Sequence, residues 1–286
     1  MSISKYIPWW VKIAAKILLS RLPVDYKLWK QLSLFQHGYM EHPSYAYQVF
    51  KQHFDKVGEF KTGFVSLEIG PGDSLLSAIV GQAFGGSASY LVDVGAFVSR
   101  DVKPYREMVC FLSDKGLPTI NISSLNSLEE ILAAYCATYK NNGLSSLREI
   151  PTQSVDFIWS QAVLEHIRQA EFLETMQELR RIIRKNGVCS HRVDLRDHLG
   201  GSLNNLRFPK YLWESDFMAN SGFYTNRIHY YQMINLFQQA NFDVKVIKVE
   251  RWKKLPTPKT KFSKEFQSLS DEELCVSGFD VVLKPV

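Results

Sequence analysis

The sequence predicts an α/β fold built on a doubly wound parallel sheet, and three observations predict it. From about residue 61, short apolar runs rich in Val, Ile and Phe alternate with amphipathic stretches, the pattern of strands joined by crossover helices. One of those runs passes through two glycines straight into an apolar helix, at "SLEIGPGDSL" (residues 66–75). Hydrophobic residues make up 45% of the 286. That is enough to fill such a core and excludes wholesale disorder.

Residues 1–60 read as a helical N-terminal cap. "IPWWVKIAAKILLSRLP" predicts a helix with Trp9, Trp10, Ile13, Ile17 and Leu18 over most of its surface and Lys12 and Lys16 on one side. The lysines interrupt the apolar run and Pro23 ends it, so it is too short to span a bilayer, and no small-residue cleavage site follows. Two readings stay open: a helix packed on the domain, or a peripheral membrane contact through residues 7–19. "YAYQVFKQHFDKVG" predicts one more helix.

Residues 61–286 read as the main domain. "FVSLEIG" predicts a strand and "SLLSAIVGQAFGG" a helix stopped by Gly85-Gly86. "SYLVDVG" and "LPTINIS" predict the next two strands. "SLEEILAAYCATYK" predicts a helix opened by Ser127 and Glu130 at capping-box spacing. "SVDFIWSQ" predicts the fourth strand. "EFLETMQELRRIIRKNG" predicts a helix with Leu173, Met176, Leu179 and Ile183 on one face and Gly187 as its stop. "GVCSHRVDL" predicts the fifth strand. The stretch 196–228 breaks the rhythm and reads as an insertion over one end of the sheet. "YYQMINLFQQANF" then predicts a helix, and "FDVKVIKVERW" and "FDVVLKPV" the last two strands.

In an open α/β sheet, ligands bind beyond the carboxyl ends of the strands, so the glycine turn lies at the binding crevice. A dinucleotide site wants G-x-G-x-x-G, and the third glycine is absent from Gly70-Pro71-Gly72-Asp73-Ser74-Leu75. Glu68 stands two residues before Gly70 instead. A pyrophosphate avoids a nearby carboxylate, whereas a cationic ligand is favoured by one. Asp93 ends the second strand, 21 residues beyond Gly72, where an acid can accept from ribose hydroxyls. A ligand with a ribose, a positive centre and no phosphates fits S-adenosylmethionine.

The same residues resemble the class I S-adenosylmethionine-dependent methyltransferases, of the methyltransferase type 11 kind. "LEIGPGDSL" is similar to their first motif, and "LVDVG" to their acidic second-strand end. "SVDFIWSQAVLEHI" is similar to their fourth strand and the turn after it, and "ELRRIIRKNGV" to the approach to the fifth. The resemblance covers about 61–195. It implies a Rossmann-like seven-stranded sheet with the insertion after the fifth strand. It also implies Glu68, Gly70 and Gly72 around the methionine part of the cofactor, Asp93 on the ribose, and Ser160 and Gln161 near the reacting methyl. The residue beside the adenine stays unassigned, because a long segment follows "LPTINIS".

The candidate acceptor-side residues are Glu165-His166 and the run "SHRVDLRDH", with His191, Asp194, Asp197 and His198. The spacing H-x-x-D-x-x-D-H matches no zinc signature, so no metal is assigned. A general base for a hydroxyl is drawn from His191, His198 and His166, with Asp194 as a ring-orienting partner. In the insertion, Arg207, Trp213, Tyr224, Asn226, Arg227 and His229 suit either a polar, sugar-like acceptor or a lid with its own small core. The expected activity is methyl transfer to a small-molecule or glycan acceptor at oxygen. The rivals are a cofactor-binding scaffold without turnover and a nicotinamide-dependent oxidoreductase. Cys110, Cys136, Cys189 and Cys275 form no Cys-x-x-Cys and predict core thiols in a reducing cytoplasm. The net charge of +5, with no dense Lys/Arg stripe, predicts no nucleic-acid partner.

Overall fold

The computed structural model describes residues 8–19, 39–58 and 60–286. Residues 1–7, 20–38 and 59 of the expected cap lie outside the described residues. Seven strands form one sheet in the order β3-β2-β1-β4-β5-β7-β6. They are β1 (Val65–Ile69), β2 (Ala88–Val92), β3 (Ala137–Lys140), β4 (Val155–Gln161), β5 (Ile183–Asp194), β6 (Phe242–Arg251) and β7 (Val276–Pro285). The first five are parallel, and β7 runs antiparallel to both β5 and β6. This is a Rossmann-like mixed sheet, with its strand-order reversal between β1 and β4.

Both faces of the sheet are covered, which is why the central strands are apolar on both sides. One face carries α2 (Pro43–Val57), α3 (Leu76–Ala83), α4 (Lys103–Asp114) and α5 (Leu128–Ala134) over a core that includes Phe50, Leu76, Met108, Phe157 and Trp159. The other carries α6 (Gly143–Arg148), α7 (Phe172–Ile182) and the helix Tyr230–Gln239 over Leu67, Ile158, Met176, Phe237 and Phe279. The helix α2, which the sequence pattern grouped with the cap, is seated in the first of these cores. Phe50 is 1% exposed and meets Phe157 and Trp159 edge-on, with ring centroids 6.0 and 5.7 Å away.

Two expected elements are corrected. "LPTINIS" is not a strand: Pro118 removes a ladder donor, and Asn121 Oδ1 accepts from the Ser123 N–H at 3.0 Å in a local turn. The third strand is instead the tail of the expected helix. α5 keeps its predicted cap, with Ser127 Oγ accepting from the Glu130 N–H at 3.2 Å. It ends at Ala134, the chain then turns at Cys136, whose φ of 49° no helix continues, and Ala137–Lys140 pair in parallel with β2. The second correction is at α7, which stops at Ile182, ahead of Gly187. Gly187 lies inside β5, where an added Cβ would sit 2.9 Å from the Asp156 carbonyl oxygen. It is a glycine because two backbones meet there, and it stops no helix.

If α2 belongs to the folding core, Phe50→Ala should lower stability by about 3–5 kcal/mol. A urea unfolding curve on the full chain measures this, and a loss below ~1 kcal/mol would mean that α2 is only loosely attached.

Candidate active site

The glycine turn lies at the carboxyl ends of β1, β2 and β4. Gly70 and Gly72 have φ values of 69° and 70°, a region that strains any residue with a side chain. Space enforces the choice as well. A Cβ on Gly70 would lie 2.5 Å from Val163 Cγ2, in the turn after β4. The Gly70 N–H donates to the Val92 carbonyl at 2.8 Å, and the Gly72 N–H to Asp93 Oδ2 at 2.9 Å. Asp93, 8% exposed, also accepts from the Val94 N–H at 2.7 Å through Oδ1. One carboxylate thereby ties the glycine turn to the end of β2.

Glu68 points to the α3 side of the sheet and accepts from Ser77 Oγ. Burial pushes its pKa up to about 8, against the pull of the Ser77 hydroxyl, and the nearby Asp93 charge adds to the rise. A cation above the turn would oppose that rise, so the pair Glu68 and Asp93 suits a positively charged ligand. The cradle thus fits S-adenosylmethionine on two counts: backbone without side chains at the turn, and acids beneath it.

Below the crevice lies a buried polar layer that sequence reasoning did not find. His53 of α2 reaches across to β4 and β5, with Nε2 donating to Gln161 Oε1 at 2.9 Å and Nδ1 accepting from Ser190 Oγ at 2.8 Å. On the opposite face, Ser160 Oγ and His191 Nδ1 are 2.7 Å apart, and both residues are fully buried. Ser160 and Gln161 are therefore engaged inside the sheet, with only Gln161 partly exposed. His191 lies among β-sheet neighbours, away from any surface an acceptor could reach. Burial holds His53 near pKa 4 and His191 near 3, so both rings stay neutral.

The expected cluster at the end of β5 does not assemble as one site. Asp197 is 3% exposed and accepts from the backbone N–H groups of Leu199, Gly200, Ser202 and Asn204 and from Asn204 Nδ2. It organises its own loop. Burial raises the Asp194 pKa, but two hydrogen bonds from the Arg196 guanidinium, at 2.8 and 2.6 Å, outweigh it and hold the carboxyl below its ordinary value. His198 instead faces His166, with ring centroids 4.7 Å apart. The nearby Glu165 is 1% exposed, and one atom from each of Glu165, His166 and His198 lies within 4.8 Å of the others. His166 Nδ1 donates to the Tyr224 carbonyl at 2.8 Å, which places the ring's lone pair on Nε2. Both rings have exposed edges, yet the protein crowding His198 lowers its pKa by desolvation, partly offset by Asp194.

The insertion's aromatics turn inward. Trp213 is fully buried and its Nε1 donates to the Thr225 carbonyl at 2.7 Å, while the Tyr224 hydroxyl donates to Glu214 at 2.7 Å. Arg227 is 8% exposed and donates to the Phe208 carbonyl at 2.6 Å. Asn226 clamps the turn after β4: its Nδ2 donates to the carbonyls of Leu164 and Ile167, and its N–H to that of Glu165. Of the two readings left open, the small core prevails for Trp213, Tyr224, Asn226 and Arg227. His229 is paired with Glu273, and Arg207 lies 5.0 Å over the Trp9 ring.

Residues 121–190 match the family model described as a methyltransferase domain. No curated protein matches. Among solved structures, YcgJ from Bacillus subtilis is 14% identical, with 84% of this chain and 97% of that chain covered and a TM-score of 0.44. An S-adenosylmethionine-dependent methyltransferase from Mesorhizobium loti is 14% identical over 82% and 95%, with a TM-score of 0.43. Phosphoethanolamine N-methyltransferase 2 from Haemonchus contortus, in complex with S-adenosyl-L-methionine, is 13% identical over 84% and 53%, with a TM-score of 0.46. The family match spans about a quarter of the chain, and these distant likenesses add nothing to it.

The neutral rings have a pH consequence. His53 and His191 have folded pKa values below the unfolded 6.5, so the unfolded chain binds more protons. Stability should be whole above pH 6.5 and fall as pH drops toward 4. Unfolding free energy measured from pH 7.5 to 4.5 should show this slope. A slope that is unchanged in His53→Gln would remove His53 from the account.

Proposed function

We propose that this chain, whose residues 121–190 match a methyltransferase domain, is an S-adenosylmethionine-dependent methyltransferase that methylates a hydroxyl of a small-molecule or glycan acceptor. The carrying observation is the approach of the two halves of the crevice. The glycine turn that fits the cofactor packs on Val163, and three residues further His166 faces His198 at the open end of β5. Bound cofactor supplies a methyl group on a sulfonium, already a good electrophile. What this chain has to add is alignment, water exclusion and, for a hydroxyl acceptor, the removal of one proton.

Glu68, Gly70, Gly72 and Asp93 form the binding side. The turn after β3, Asn141-Asn142-Gly143, joins them, because the Gly143 N–H donates to the Asp93 carbonyl at 2.8 Å. We assign the adenine side of the pocket to this turn. On the acceptor side, His198 is the proton acceptor and His166 its neighbour, with Asn226 and Tyr224 holding the turn in place. His191 and Ser160 support the floor from within the sheet, and Asp194 acts on His198 through its charge.

Asp93→Ala should remove both the ribose contact and the tie to Gly72, weakening S-adenosylhomocysteine binding by about 2–3 kcal/mol. Gly70→Val should abolish binding, because the side chain collides with Val163. Calorimetric titration of both variants tests the pocket, and wild-type affinity in either would sink it.

His198→Ala should lower turnover by about 10²–10⁴-fold and leave cofactor affinity unchanged. Since the His198 pKa is lowered, the ring stays neutral to pH values under 6.5 and the acid limb of the rate profile should lie below that pH. Turnover assays across pH, on wild type and on His166→Ala and His198→Ala, decide it once an acceptor is in hand. Wild-type rates from both variants would leave a mechanism of positioning alone.

A further inference from the structure

The first helix, α1 (Trp9–Leu19), is sided in an unusual way. Trp9, Ile13 and Ile17 recur every four residues and face the insertion. Ile13 is 8% exposed and shares a cluster with Leu199, Trp213, Met218, Phe223 and Tyr224. Trp9 meets Phe208 edge-on at 6.1 Å. Lys12 and Lys16 form one flank, and the Lys12 ammonium reaches to within 3.9 Å of where a Cβ on Gly200 would stand. The opposite arc is apolar and turned to solvent. Trp10 is 60% exposed, Leu18 is 65% exposed, and Ala14 and Ala15 between them are exposed too.

Burial of one face therefore accounts for only half of this helix's apolar surface. The charge of the chain says what covers the rest. The first 38 residues hold six Lys and Arg against a single acid, Asp25, while the remaining 248 hold 28 basic and 28 acidic residues. The whole net charge of +5 thus belongs to the segment that contains α1. A cationic, aromatic-rich segment with an outward apolar arc matches an anionic bilayer surface, where indole rings and alkyl chains sit at the headgroup boundary and lysines reach the phosphates. Among the described residues no helix is long and apolar enough to cross a membrane, which leaves the surface position.

We propose that α1 docks this protein on the surface of membranes containing acidic phospholipids, with Trp10, Ala14 and Leu18 entering the headgroup boundary and the net positive charge of residues 1–38 drawing the segment to lipid phosphates. The docking stands apart from the methyl-transfer reading, since it needs neither cofactor nor acceptor.

The test is co-sedimentation of the full chain with vesicles of phosphatidylcholine alone or mixed with phosphatidylglycerol. The wild type should sediment with the mixed vesicles and far less with phosphatidylcholine. Trp10→Ser with Leu18→Ser should weaken partitioning by roughly tenfold or more. Raising the salt concentration should weaken the wild type's partitioning into the mixed vesicles. The Trp10/Leu18 pair should keep wild-type circular dichroism and S-adenosylhomocysteine affinity, because the changed positions lie outside the cofactor crevice. No sedimentation of the wild type, or equal sedimentation of the wild type and the Trp10/Leu18 pair, overturns the proposal. Light scattering supplies the remaining outcome. A dimer that the Trp10/Leu18 pair dissolves, together with no vesicle binding, would make this arc a contact between copies and end the membrane reading.

Discussion

The site depends on one carboxylate. Asp93 holds the Gly72 N–H through one oxygen and the Val94 N–H through the other, so it fixes the turn after β1 to the end of β2 before any ligand arrives. Two glycines with positive φ make a turn that is entropically costly to order. The charge-assisted bonds to Asp93 and the Gly70 bond to Val92 offset that cost. Val163 closes the turn from the other side. The geometry is consequently set by three strands at once, which is what a preorganised binding crevice requires.

The second determinant is the polar layer under the crevice. His53, Ser190 and Gln161 link α2 to β4 and β5 on one face, and Ser160 links to His191 on the other. Such a layer inside a sheet costs stability when any member loses its partner. It also fixes the ends of β4 and β5 against each other, and those ends carry the turns of His166 and His198. Asn226 and the Asp197 loop complete the support from above. The insertion is in this sense a brace for the turn that carries His166.

Much of this was legible in the chain because it is local. Glu68, Gly70, Gly72 and Asp93 lie within one strand-turn-helix-strand unit, and the structure brings them together around one turn. What stayed hidden depends on residues distant in sequence. The pairing of His166 with His198, and the reach of His53 to Ser190 and Gln161, have no local signature. β3 was missed because Ala137–Lys140 continues a helical pattern, and only the left-handed Cys136 breaks it. The early apolar run "LPTINIS" has the composition of a strand but a proline and an Asn turn that keep it out of the ladder. His191 illustrates the limit in the other direction. A histidine at a strand end in sequence points into the interior when its place in the alternation does.

The contact between Ile13 and Leu199 has a further implication. Leu199 follows His198 directly, so the first helix and the ring that faces His166 share a single loop. Two events that both move one loop are thermodynamically linked, and the linkage is mutual. If engaging α1 moves that loop, it shifts the affinity of the cleft for what it holds, and filling the cleft shifts the engagement of α1 by the same factor. A measured dissociation constant for this protein is then conditional on what its first helix is touching.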